Sequence, residues 1–197
     1  MTRLLVTGAL VALVAAPIQA QSTGTPVYSA PYRSFATSEM GLSLSDPGSG
    51  FALEGSWRTA LSGSSDVGLR AGLSDRGRST ALLVGGDYRM RLLDHNEDFP
   101  LDGSLTLGLG LASGDGYTVG YLPVGFSMGR RVLVEGSQVS LVPYIHPVLA
   151  PMFGDADDLA FSMGFGLDAR VSPRLDVRFS AAIGDLDGIA FTVAWLR

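Results

Sequence analysis

Residues 101–111 read LDGSLTLGLGL, and every second position is Leu or Gly. The intervening set is Asp102, Ser104, Thr106, Gly108 and Gly110. Successive side chains of a strand point to opposite faces, so this segment has one oily face and one small, polar face. Similar dyads recur to the end of the chain. No stretch carries convincing helical periodicity, and nothing repeats beyond the hairpin period itself. The pattern predicts an all-β protein.

Residues 1–20 are set apart from that pattern. Arg3 supplies a positive start, residues 4–16 form an apolar stretch, and Pro17-Ile18-Gln19-Ala20 resembles a cleavage site, which predicts a signal peptide ending at Ala20. Residues 21–36, rich in proline and small residues, are expected to form a tether. The remainder, 37–197, is sized for one domain. Cysteine is absent, which removes disulfides and thiolate metal sites. All 14 basic residues are Arg, against 19 acids, a balance that argues against nucleic acid as a partner. The chain is greasy on average, yet beyond the leader it has no apolar run of about 18 residues. A barrel resolves that combination, because it pairs every backbone group inside lipid without a helix.

Turn chemistry divides 37–197 at regular intervals. Gly, Asp, Ser and Pro gather at 46–50, 62–65, 75–78, 95–98, 113–116, 135–137, 154–158, 172–174 and 184–188. Nine breaks leave ten strands, near 37–45, 51–61, 66–74, 80–93, 100–112, 117–133, 138–152, 159–171, 175–183 and 189–197. Most have about the 9–11 residues of a tilted membrane strand. The expected fold is an antiparallel up-and-down transmembrane β-barrel of ten strands, with eight as the alternative.

Composition of the two faces chooses between a membrane barrel and a soluble one. The polar sets carry Gly, Ser, Thr and Ala with Arg and Asp, which suits a narrow interior, whereas soluble surfaces mix long solvated Lys and Glu. The apolar sets, such as Leu82, Val84, Tyr88, Met90 and Leu92 or Ile189, Phe191, Val193 and Trp195, hold no charge, as a lipid-facing surface requires. His146 is turned inward for the same reason. The leader, the Gly-rich dyad strands, Val142-Pro-Tyr-Ile145 and the final strand Gly188–Trp195 together resemble small outer-membrane β-barrel proteins of the OmpA/OmpX type. That resemblance implies a bacterial outer-membrane address, lipid as the surrounding partner, and a barrel-assembly machinery that reads a terminal aromatic. Here Trp195 is followed by Leu196 and Arg197.

Parity assigns Arg58, Arg70, Arg89, Arg91, Arg170 and Arg178 to the lumen with Glu54, Asp87, Asp102, Asp168 and Asp176. Six charges against five predict a cross-linked polar core, since buried charges need partners. The alternative is a constricted, porin-like passage lined by arginines. Asp46, Asp115, Asp155, Asp157, Asp158, Asp185 and Asp187 fall in turns at one end. Their spacing fits no EF-hand, so turn formation is expected of them rather than calcium binding. Trp57, Tyr88, Tyr117, Tyr121, Tyr144 and Trp195 are candidates for interfacial girdles or for packing. Only His95 and His146 could serve as a base, and neither sits in a readable nucleophile pattern, so no catalytic residue, metal or cofactor is assigned. The expectation is a monomeric, non-catalytic outer-membrane barrel with a structural or surface-interaction role. A narrow passive pore is the alternative; a secreted soluble barrel holding an apolar ligand is the third reading.

Overall fold

The computed structural model describes residues 28–31, 37–46, 50–75 and 79–197. The expected leader, its cleavage site, parts of the tether (21–27 and 32–36) and the tips of two turns (47–49 and 76–78) lie outside the described residues.

The described chain is a closed antiparallel barrel without helices. Its strands are β1 (Glu39–Asp46), β2 (Phe51–Ala60), β3 (Ser65–Asp75), β4 (Thr80–Leu93), β5 (Asp102–Gly114), β6 (Tyr117–Tyr121), β7 (Val124–Gly129), β8 (Val132–Leu133), β9 (Ser140–Gly154), β10 (Asp158–Ser172), β11 (Leu175–Gly184) and β12 (Gly188–Leu196). β6, β7 and β8 all pair with β9 and so make one interrupted wall member, which brings the circuit to ten. β1 pairs with β12 from Glu39↔Leu196 to Asp46↔Ile189, and this first-to-last pairing closes the circle. The eight-strand alternative is therefore not adopted.

The stretch expected as one strand over 117–133 is interrupted because Pro123 brings no N–H to the ladder. Main-chain bonds bridge the break: Gly108 N donates to Pro123 O at 2.8 Å and Leu122 N to Pro151 O at 2.9 Å. Alternation survives the interruption, so Tyr121 and Ser127 still face the same side.

Along β5 the reading of parity is met residue by residue: Asp102, Ser104, Thr106 and Gly110 are enclosed, while Leu107, Leu109 and Leu111 face out. The same holds around the circle. Leu42, Leu53, Leu82, Phe161, Phe179 and Phe191 are all roughly half exposed, and they form an unbroken oily exterior. A soluble monomer rarely shows a contiguous apolar patch beyond a few hundred Å². The interior is polar over most of its length, which is the inverse of a soluble carrier for an apolar ligand.

Gly116, with φ +80° in the two-residue link between β5 and β6, takes a backbone conformation that a side chain would strain. Gly72 has a different role. A Cβ there would sit 2.2 Å from the Leu53 carbonyl oxygen and 2.7 Å from Glu54 Cα, both backbone atoms of β2. Gly72→Ala is expected to cost about 1–3 kcal/mol, the usual range for overpacking, measured as a lower denaturant midpoint with unchanged slope.

Candidate functional site

Among the described residues polar side chains concentrate in the lumen, which is filled in three layers. We call the end where β1 begins and β12 stops the lower end. Near it, side chains from β1, β2, β3, β4, β10 and β11 form an ionic arc. Arg170 holds Asp176 through two bonds, at 2.8 and 3.2 Å. Asp176 also accepts from Arg178 at 3.1 Å, and Arg178 lies 3.4 Å from Asp168. Arg178 then grips Glu39 with both terminal nitrogens, at 3.0 and 2.6 Å. Arg58 approaches Glu39 at 3.8 Å and bonds both Asp66 and Asp87. Arg89 ends the arc on Asp66, at 2.5 Å. Four arginines and five carboxylates are thus linked, and guanidinium forks suit such shared contacts.

Not every residue assigned to the lumen from the sequence joins this arc. Glu54 and Arg70 face each other at 3.9 Å, and the Arg70 charge also acts on Asp87 of the arc. Arg91 pairs with Asp94 at 3.1 Å near the rim, and Asp102 accepts from the His95 main chain and ring, both at 2.9 Å. Two acidic members were not picked out from the sequence, Glu39 and Asp66, both buried. They share parity with Gly41 and Ser43, and with Arg70 and Gly72, and that signal was sufficient to place them inward.

The upper layer is apolar. Ala52, Leu83, Ala112, Val119, Tyr121, Ala150 and Ala160 close around Leu186, which folds inward from the β11–β12 turn and is fully buried. Tyr117 packs against this cap. Tyr121 and Tyr144 are 4% and 5% exposed, so the girdle expectation does not hold for them. The parity that turns His146 inward turns Tyr144 inward as well. Trp57, Tyr88 and Trp195 do face outward, the two tryptophans beside Met40 of β1.

Between these layers lies the largest departure from expectation. Residues 28–31, assigned to a tether, run inside the barrel. Five wall side chains meet their main chain. The Tyr144 hydroxyl donates to Tyr28 O at 3.2 Å, Ser127 to Ser29 O, Arg89 to Ala30 O at 2.9 Å, and Ser104 to Pro31 O at 3.2 Å. Ser29 N donates to His146 Nδ1 at 3.2 Å. That bond decides the His146 tautomer. With Nδ1 accepting, the neutral ring carries its proton on Nε2 and donates it to Thr106 Oγ1, 2.8 Å away. The imidazole so held is a structural donor and acceptor, and it is not poised to take a proton from Thr106.

A cavity remains beside the segment, with about 70 Å³ of space open to water-sized molecules. Its walls include Tyr28, Ser43, Ser56, Arg70, Ser180 and Thr192. At the upper rim several turn carboxylates are engaged by backbone N–H groups. Asp155 accepts from Thr118 N at 2.6 Å and Asp185 from Phe161 N at 2.9 Å. They cap strand ends, as turn-forming residues do. Asp187, in the same turn as Leu186, has its carboxyl pKa raised by partial burial and by the neighbouring Asp46 carboxylate.

Fold and lumen together define a class: a transmembrane-type β-barrel with an enclosed, occupied interior. No family model matches the chain, and no curated protein matches it. Among solved structures it is similar to the β domain of the Bordetella autotransporter BrkA, at 12% identity and a TM-score of 0.53, covering 82% of this chain and 98% of that one. That likeness shows the barrel fold. A de novo designed transmembrane β-barrel aligns at 15% identity and TM-score 0.42, over 82% and 96% of the two chains. A bacterial polysaccharide outer-membrane secretin aligns at 10% identity and TM-score 0.48, over 74% of this chain and 56% of that one.

Proposed function

We propose that this protein is an integral outer-membrane β-barrel, closed to solutes at rest, with a structural or surface-interaction role and no catalysis. The observation that carries this reading is the pairing of an uncharged, oily exterior with a lumen filled at three levels. An exterior of that kind is at home only against acyl chains, where charged side chains at mid-depth are costly. Charge, main chain and apolar side chains stacked inside oppose a continuous water column, which supports the closed reading. The partners of such a barrel are outer-membrane lipid and the machinery that assembles it; the reading needs no cofactor, nucleic acid or second subunit, and the protein acts as a monomer.

Fractionation with heat-modifiable gel migration tests the address, and planar-bilayer recording tests the closure. The expected result is a membrane-bound protein whose boiled and unboiled forms migrate differently and which is silent in potassium chloride. Recovery of the mature chain as a soluble monomer in plain buffer would refute the membrane reading, and a steady conductance would refute the closed one. The pore reading draws on the residual polar cavity alone.

A further inference from the structure

Among the described residues, five wall side chains meet the main chain of Tyr28–Pro31, and the Tyr28 hydroxyl meets the Leu186 main chain. None belongs to the ladder that closes the barrel. The segment can therefore leave without breaking one inter-strand bond. Its upper end is tied to the cap: the Tyr28 hydroxyl donates to Leu186 O at 2.8 Å, while Leu186 N donates to Ser162 Oγ at 2.6 Å. Those two bonds hold an apolar turn residue inside the lumen. Tyr28 and Ser29 also form one wall of the residual cavity. Removing them joins that cavity to the strip of hydroxyl and imidazole groups the segment now covers.

We propose that Tyr28–Pro31 is a removable stopper, and that its withdrawal frees Leu186 and converts the lumen into an aqueous passage for small hydrophilic solutes. The wall meets main chain at all four residues and a side chain at Tyr28, so the occupant it fits is a peptide with an aromatic residue at that position. Gly164 shows how closely this occupant is fitted, since a Cβ there would lie 2.1 Å from the Tyr28 ring. The inference goes beyond the resting, closed barrel proposed above, and the two fail on different results.

The test compares the mature chain with a variant lacking residues 21–31 in planar bilayers bathed in potassium chloride. Deletion is expected to raise open probability at least tenfold, and a synthetic peptide with the sequence of residues 21–36 is expected to lower it again. Tyr28→Ala, which keeps the segment but loses its bond to Leu186, should fall between. A deletion variant that is folded by heat-modifiable migration and yet silent overturns the stopper, while a conducting mature chain overturns the closed resting form instead. Should the deletion variant not fold, Ser29→Cys answers the same question, because the chain has no cysteine of its own. A membrane-impermeant maleimide should modify it slowly in the folded barrel. A thiol that stays unmodified until the protein is denatured overturns the proposal.

Discussion

Arg89→Ala is expected to destabilise the folded barrel by about 3–5 kcal/mol, the range seen when one partner of a buried ion pair is removed. Arg89 is fully buried and holds two groups at once, the Asp66 carboxylate at 2.5 Å and the Ala30 carbonyl at 2.9 Å. Truncation leaves Asp66 to Arg58 alone and strips a buried carbonyl of its donor. Arg89→Lys should recover only part of the loss, since one ammonium on a flexible stem cannot reproduce the fork. Arg91→Ala is the internal control. Its partner Asp94 is well exposed at the rim, and loss of that pair should cost at most about 1 kcal/mol. Urea unfolding of the three variants in lipid vesicles measures the contrast. Equal effects for Arg89→Ala and Arg91→Ala would mean that the lumen charges are solvated rather than cross-linked.

Leu109→Arg should cost about 2–4 kcal/mol in a bilayer, the penalty for a basic side chain near the midplane of a membrane barrel. Leu109 stands near the middle of β5 and is 57% exposed on the outer face. The depth dependence makes the prediction specific. Val132→Arg, on the short β8 at the lower rim, lies on the same outer face, opposite Leu141, but should cost only about 0–1 kcal/mol. On a water-facing surface both changes would fall within about 0.5 kcal/mol. The same unfolding measurement therefore reads out which solvent the exterior meets. Matching small values at both sites would remove lipid from the account.

Strand parity carried most of the fold because it is a local property, fixed by the pleat and independent of what lies across the lumen. Asp87, Arg89, Asp168 and Arg178 could be turned inward from their immediate neighbours alone. Which charge meets which could not, because Arg178 and Glu39 stand 139 positions apart and touch only when the circle is complete. Tyr121 shows a second kind of loss. Its aromatic character suggested a girdle, while its parity with Ser127 and Gly129 pointed inside, and parity prevailed. Residues 28–31 were illegible for a third reason. A segment held mostly through its main chain has no periodicity, and its one anchored side chain, Tyr28, meets a residue 158 positions away, so Tyr-Ser-Ala-Pro reads as linker although five wall groups are placed to receive it.

The pairing of Glu39 with Leu196 sets a condition on how such a chain can be made. Contacts between the most distant parts of a sequence are slow to form, because the loop they close is nearly the whole polypeptide. Until they form, both flanking edges display unpaired amides, which hydrocarbon cannot solvate. Insertion is therefore a concerted event that waits for β12. A polypeptide halted a few positions short would stall at the bilayer surface as an open ribbon, liable to join its raw edges to those of its neighbours.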